Sequence, residues 1–171
     1  EFKTYQSNFF DSTALSGNVI WSIFKDSDGD IWVGTDKGID QYIYGLDQFN
    51  RYDLGSKPIN VIQDETDGSI IIASENTGLH FINKIDGSKQ SFKNDPNDGF
   101  SISSNSFNIN QHNPIAIDEL GNIWVATDNG LNYYRKDKDI FTRFNQREGL
   151  SGNKINTLMA KGDYIYVGSS K

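Results

Sequence analysis

The sequence predicts an all-β protein, a β-propeller fragment of four-stranded antiparallel blades with about three complete blades and partial blades at both ends. Three observations predict it. A block of similar residues recurs at a period of about 40 residues. Each copy breaks into short apolar runs separated by turn residues of the Asp-Gly and Asn-Gly kind. No window carries a sustained i, i+3, i+4, i+7 apolar stripe, so helices are not expected.

The repeat is read from four segments. The first runs from Leu15-Ser16-Gly17-Asn18 through Val19–Lys25 to Asp26-Ser27-Asp28-Gly29-Asp30-Ile31-Trp32-Val33-Gly34-Thr35-Asp36-Lys37-Gly38-Ile39. The second holds Ile59–Asp64, Gly68–Ser74 and Gly78-Leu79. The third holds Ile115–Asp118 and Gly121-Asn122-Ile123-Trp124-Val125-Ala126-Thr127-Asp128-Asn129-Gly130-Leu131. The fourth opens at Leu150-Ser151-Gly152-Asn153 and reaches Tyr164–Ser169. The turn glycines Gly29, Gly68, Gly121 and Gly162 are spaced 39, 53 and 41 residues apart. The long step implies an insertion between Asn94 and Pro114.

Within a repeat, Val19–Phe24 reads as the first strand, Ile31–Gly34 as the second and Ile39–Tyr44 as the third. The fourth carries a pair of aromatics, Phe49 with Tyr52 and later Phe141 with Phe144. Phe2 and Tyr5 carry the same pairing, so residues 1–14 read as the outer strand of a preceding blade with a linker. Blades are then expected at 15–53, 54–94 and 95–145, the last with the insertion, and the first half of a further blade at 146–171. A ring of 4 to 8 blades is usual. A partial propeller leaves edges and apolar faces to be covered, so further blades of a longer chain are expected partners.

Composition narrows the function. The 171 residues carry a net charge of −7, which disfavours binding to a phosphate backbone. There is no basic amphipathic stretch for a membrane surface and no apolar run of the length a membrane helix needs. With no cysteine, thiolate metal sites and Cys nucleophiles are excluded. No phosphate loop or Gly-x-Ser-x-Gly elbow is present, and no cofactor is expected. The carboxylate pairs Asp64-Glu65 and Asp118-Glu119 fall at repeated turn positions and read as turn residues. Asp26-Ser27-Asp28-Gly29-Asp30 looks like the start of a calcium loop but lacks the distal Glu, so a hairpin turn is the better reading.

The Leu15–Ile39 block resembles the two-component regulator propeller repeat, and Phe49-Asn50-Arg51-Tyr52 resembles its closing strand. The third copy fits too, through Ile123–Asn132 and Phe141-Thr142-Arg143-Phe144. The second departs from it, with Ile71 for the Trp and Ala73-Ser74 for Gly-Thr. The fourth has Tyr166 at the Trp position. The resemblance implies the periplasmic sensor region of a Bacteroides-type hybrid two-component histidine kinase. It implies an oligosaccharide ligand and signalling by conformational change rather than chemistry. A homodimer is a possible further partner. The alternatives are a propeller lyase or glycan-active enzyme, which would gather His80, His112 and carboxylates at the channel mouth, and a scaffold for a protein partner.

In a propeller, loops joining strand four to strand one share a face with the turns between strands two and three. Ligand-binding candidates on that face are Asn18, Asp36, Asn60, Asn105, His112, Asp128 and Asn153. Trp21 joins them because it does not recur, whereas Trp32 and Trp124 recur at one strand position and read as packing between blades.

Overall fold

The protein is described here by a computed structural model covering residues 2–55, 57–65, 67–107 and 113–170. The predicted repeat becomes three four-stranded sheets and a hairpin, all antiparallel and each paired in chain order. Sheet one is β1 (Ile20–Lys25), β2 (Ile31–Thr35), β3 (Ile39–Ile43) and β4 (Gln48–Tyr52). Sheet two is β5 (Ile59–Asp64), β6 (Ser69–Ser74), β7 (Gly78–Asn83) and β8 (Lys89–Phe92). Sheet three is β9 (Ile115–Ile117), β10 (Ile123–Thr127), β11 (Gly130–Arg135) and β12 (Ile140–Phe144). The hairpin is β13 (Ile155–Lys161) with β14 (Tyr164–Ser169), preceded by a short 3-10 turn at Gln146–Glu148.

The hairpin turns follow from their residues. Asp26 Oδ1 accepts the amides of Asp28 and Asp30 at 3.0 and 2.8 Å, closing the turn from β1 to β2. Asp118 Oδ1 accepts those of Leu120 and Asn122 at 3.0 and 2.8 Å in sheet three. Gly29 and Gly121 take φ of 96° and 78° in these turns, a conformation a Cβ disfavours. The other oxygen of each Asp accepts the indole N–H of a Trp on the next strand, Trp32 at 2.9 Å and Trp124 at 3.2 Å.

The cores lie between sheets, and period-two alternation builds them. On β6, Ile70 and Ile72 pack toward sheet one with Trp32, Ile39 and Leu54. Ile71 and Ala73 pack the other way, with Ile123, Val125, Tyr134 and Phe141 of sheet three. Ala126 and Leu131 of sheet three then pack on Ile155 and Leu158 of the hairpin, where Trp124 is partly buried.

Lysines clamp two of these seams on the turn side. Lys84, just past β7, lies 3.1 Å from Asp64 and 3.7 Å from Asp26 of the sheet before it. Lys136, at the matching place past β11, pairs with Glu65 and lies 3.0 Å from Asp67. Burial, and then the neighbouring Asp67, push the Glu65 carboxyl up to about 7, against the pull of Lys136.

The expected insertion divides into two parts. Residues 95–101 form a loop built like residues 8–14: Asp95 and Asp98 side chains accept the amides of Asn97 and Phe100, as Asn8 and Asp11 accept those of Phe10 and Thr13. The remaining extra length falls between Ser106 and Pro114, where residues 108–112 lie outside the described residues. Phe2–Tyr5 forms no strand; its ring Tyr5 lies edge-on to Phe49, 5.3 Å between centroids.

Candidate ligand-binding face

The loops entering each first strand and the turns between second and third strands meet on one face, and a repeated latch fixes their backbone. Ser16 Oγ meets Thr35 Oγ1 at 2.8 Å, and Ser103 Oγ meets Thr127 Oγ1 at 2.8 Å. Ser151 and Ser169 meet at 2.6 Å in the hairpin unit. A third residue completes the latch. Asp40 accepts the Ser16 amide at 3.1 Å and hydroxyl at 2.7 Å. Asn132 accepts the Ser103 amide at 2.8 Å and donates to its hydroxyl at 2.9 Å.

An arginine on the outer strand braces the same loops. Arg51 Nε donates to Ala14 O at 2.7 Å, and its Nη2 reaches the carbonyls of Asn8, Asp11 and Leu15. Arg143 Nε donates to Ser101 O at 2.7 Å, and its Nη2 reaches Asp98 O and Ile102 O. Among the described residues, sheet two lacks both devices. His80 stands at the Asp40 position and Ser91 at the Arg51 position in the pairing register. His80 is buried between Thr77 Oγ1 at 2.9 Å and Ser91 Oγ at 2.8 Å. Burial, then Lys93 and Lys89, lower its pKa to about 4, so the ring is neutral and fully engaged.

The candidate residues divide sharply. Asn18, Asn105 and Asn153 turn their oxygens inward, accepting the backbone amides of Ser7, Asn94 and Gln146 at 2.7, 2.6 and 2.9 Å. They are loop caps, and only their side-chain N–H groups remain for a ligand. Asp36 and Asp128 begin the second turns, and each keeps one buried carboxylate oxygen with no partner among the described residues. The other Asp128 oxygen accepts from Ser106 Oγ at 2.7 Å. Asn60 Nδ2 is likewise buried without a partner among the described residues. His112 lies outside the described residues.

Trp21 and Asn60 prove to be the same structural position. Both sit in a bulge one residue into the innermost strand, where pairing skips from Ile20 to Ser22 and from Ile59 to Val61. The hairpin repeats it at Asn156, between Ile155 and Thr157. There the Asn156 amide donates to Ser170 Oγ at 2.8 Å. Ser170 follows β14 as Asp36 follows β2 and Glu75 follows β6, so the three turns start at matching places. A bulge re-aims one side chain out of the alternating pattern. The inner lip of the face thus carries Trp21 and Asn60 at its bulges and Asp36 and Glu75 at its turn starts. Asn156 was not singled out from the sequence as an equivalent of Trp21 and Asn60, since a bulge is invisible to a period-two reading.

What the face offers is hydrogen-bonding capacity on a fixed backbone: carboxylate acceptors, amide donors and one half-exposed indole. The Asp26 carboxylate of the loop that looked calcium-like is occupied by two backbone amides and the Trp32 indole. No helix among the described residues is long and apolar enough to cross a membrane.

Comparison with known proteins agrees with the repeat. The two-component regulator propeller family model matches residues 14–37. No curated protein sequence matches the chain. The extracellular domain of the putative hybrid two-component system BT4673 from B. thetaiotaomicron superposes with a TM-score of 0.68 at 24% identity, over 92% of this chain and 21% of that one. The extracellular domain of the putative hybrid two-component system BT3049 from the same organism gives 0.66 at 24% identity, over 91% and 21%. Virginiamycin B lyase from Staphylococcus aureus gives 0.61 at 16% identity, over 88% and 48%. The chain thus spans about a fifth of the length of the two-component ectodomains it resembles. At these identities the likeness is one of fold, part of a β-propeller, within which residues 14–37 match the two-component regulator propeller repeat.

Proposed function

We propose that the chain is part of the ligand-sensing ectodomain of a hybrid two-component sensor histidine kinase, placed in the periplasm. It recognises an oligosaccharide on the latched face and signals by rigid-body rearrangement. The observation that carries this reading is the two-component regulator propeller block at residues 14–37, whose own latch holds the face rigid. The chemistry is suited to sugars. Asp36, Glu75 and Asp128 accept from hydroxyls, and the free amide groups of Asn18, Asn60, Asn105 and Asn153 donate. The indole of Trp21 supplies an apolar platform beside them. His80 is withheld from acid–base work by its two hydroxyl partners.

The experiment is calorimetry of the complete ectodomain against oligosaccharides of different linkages, with long incubation and product analysis. Saturable binding of one glycan class, weakened at least about tenfold by Asp36→Ala with Asp128→Ala, is the expected result. Absence of binding across the panel would favour a scaffold, and turnover of any sugar would make the protein an enzyme.

A further inference from the structure

Register matches sheets one and three residue by residue. Ile23, Val33, Ile31, Tyr42 and Phe49 pair across one face of sheet one. Ile115, Val125, Ile123, Tyr134 and Phe141 pair in the same way across sheet three, with identical side chains. Tyr42 and Tyr134 each donate to an aspartate held in a left-handed backbone, Asp47 and Asp139. By the same register Tyr52 matches Phe144, so Asp53 matches Asn145. The braced arms 8–14 and 95–101 match as well, with Asn8 in the place of Asp95.

Against this likeness, sheet one differs in two places at the edge of the latched face. On its arm, Phe9 and Phe10 stand where arm 95–101 has Pro96 and Asn97. Their rings are 93% and 94% exposed and lie edge-on, 5.4 Å between centroids. The backbone beneath them is held on both sides. Arg51 donates to the carbonyls of Asn8 at 3.0 Å and Asp11 at 2.7 Å, and Asn8 Oδ1 accepts the Phe10 amide at 3.0 Å. The second difference is the connection that leaves the sheet. After Asn145 the chain makes the 3-10 turn Gln146–Glu148, tied down by Asn153, before β13 begins at Ile155. After Asp53 the connection is shorter, and β5 begins at Ile59 with no such turn among the described residues.

A groove of about 570 Å³ opens there, walled by Phe9, Ser16, Lys37, Arg51, Tyr52 and Asp53. Lys37 is exposed, and its nearest carboxylate, Asp36, is 3.8 Å away. Arg51 commits Nε and Nη2 to carbonyls and leaves Nη1 without a hydrogen bond among the described residues. Asp53 Oδ1 accepts the Gly55 amide at 2.8 Å, while Oδ2 has no partner among the described residues. An exposed ring plane beside cationic donors and a carboxylate acceptor suits a pyranose, which has an apolar face and a rim of hydroxyls. We propose that this groove binds a further sugar residue of the oligosaccharide, stacked on Phe9. Lys37 follows Asp36 in one turn, so the groove continues outward from the inner lip. The proposal rests on the sugar-sensing reading above and adds to it that the protein recognises the length of the glycan.

The test is calorimetry of the complete ectodomain against dimers and hexamers of glucan, xylan, mannan, galactan and arabinan. In the class that binds, the hexamer is expected to bind at least about tenfold tighter than the dimer. Phe9→Ala should remove that advantage and leave the dimer affinity unchanged, and Phe9→Trp, which keeps a ring, should retain it. Asp36→Ala with Asp128→Ala should weaken both lengths alike. A hexamer no tighter than the dimer would overturn the subsite and leave the sensor reading standing. So would a length advantage that survives Phe9→Ala, above all with a lowered melting temperature, which would make the ring a packing contact within the longer protein. No binding of any glycan at either length would remove the sugar reading and the subsite together.

Discussion

Sheets one and three carry the same five residues on the corresponding face, yet one face is sealed and the other open. Local sequence cannot account for the difference. The strands, the tyrosine–aspartate contact and the arginine brace form on both. What differs is the neighbour, so burial in this fold is a property of the seam and not of the blade. Sheet two shows the opposite case. Every residue of β6 from Ile70 to Ser74 is buried because both of its faces meet a sheet.

The comparison can be broken by truncating one residue on each face. Ile115→Ala is expected to cost roughly 3 kcal/mol in urea unfolding, and Ile23→Ala less than about 0.5 kcal/mol, because only the first leaves a cavity. Equal costs would mean that the face of sheet one is covered in solution. The polar latches should differ next. Asn132→Ala strips hydrogen bonds from a buried site and should cost about 2 kcal/mol. Asp40→Asn should instead stabilise by about 1 kcal/mol at neutral pH, because burial raises the Asp40 pKa despite its bonds from Ser16, and one of its oxygens has no partner. The gain should shrink as the pH falls and the wild-type carboxyl protonates.

Much of this architecture was legible beforehand. The Asp-Gly turns and the recurring Trp positions located every sheet, since turn chemistry and alternation are local signals. The latch was not legible, because Ser16, Thr35 and Asp40 come from a loop, a strand end and the next strand, and each residue type is ordinary in its place. The capping role of Asn18, Asn105 and Asn153 was not legible, because a turn Asn facing solvent and one capping its own loop have the same sequence. Trp21 looked unique only because its equivalents are asparagines.

Smaller effects sharpen the comparison. Arg143→Lys and Arg51→Lys should each cost about 1 kcal/mol, since an ammonium cannot bridge the same spread of carbonyls. Each should speed proteolysis of its own loop, 95–101 or 8–14, and leave the other loop unchanged. Glu65 makes the clamp between sheets two and three sensitive to pH. Its native pKa lies above the ordinary glutamate value, so the native state holds its proton more tightly. Stability from this group is therefore present in mild acid and is lost as the pH rises from about 4.5 through about 7. The change should be about 1 kcal/mol after allowance for the solvent that reaches Lys136. Unfolding midpoints at pH 5 and pH 8 measure it, and Glu65→Gln should abolish the difference due to this group.

Phe92, on the outer strand of sheet two, packs on two rings of the unit that follows, Tyr134 and Phe141. The segment that keeps its contacts when copied is therefore out of step with the sheets. A duplication cut at the edges of sheet two would carry Phe92 away from its partners. One running from the middle of one blade to the middle of the next would carry a finished joint with it. A gene lengthening by such offset units adds blades that fit on arrival, and a recombination cut inside the loop 95–101 would strand Arg143 without its carbonyls.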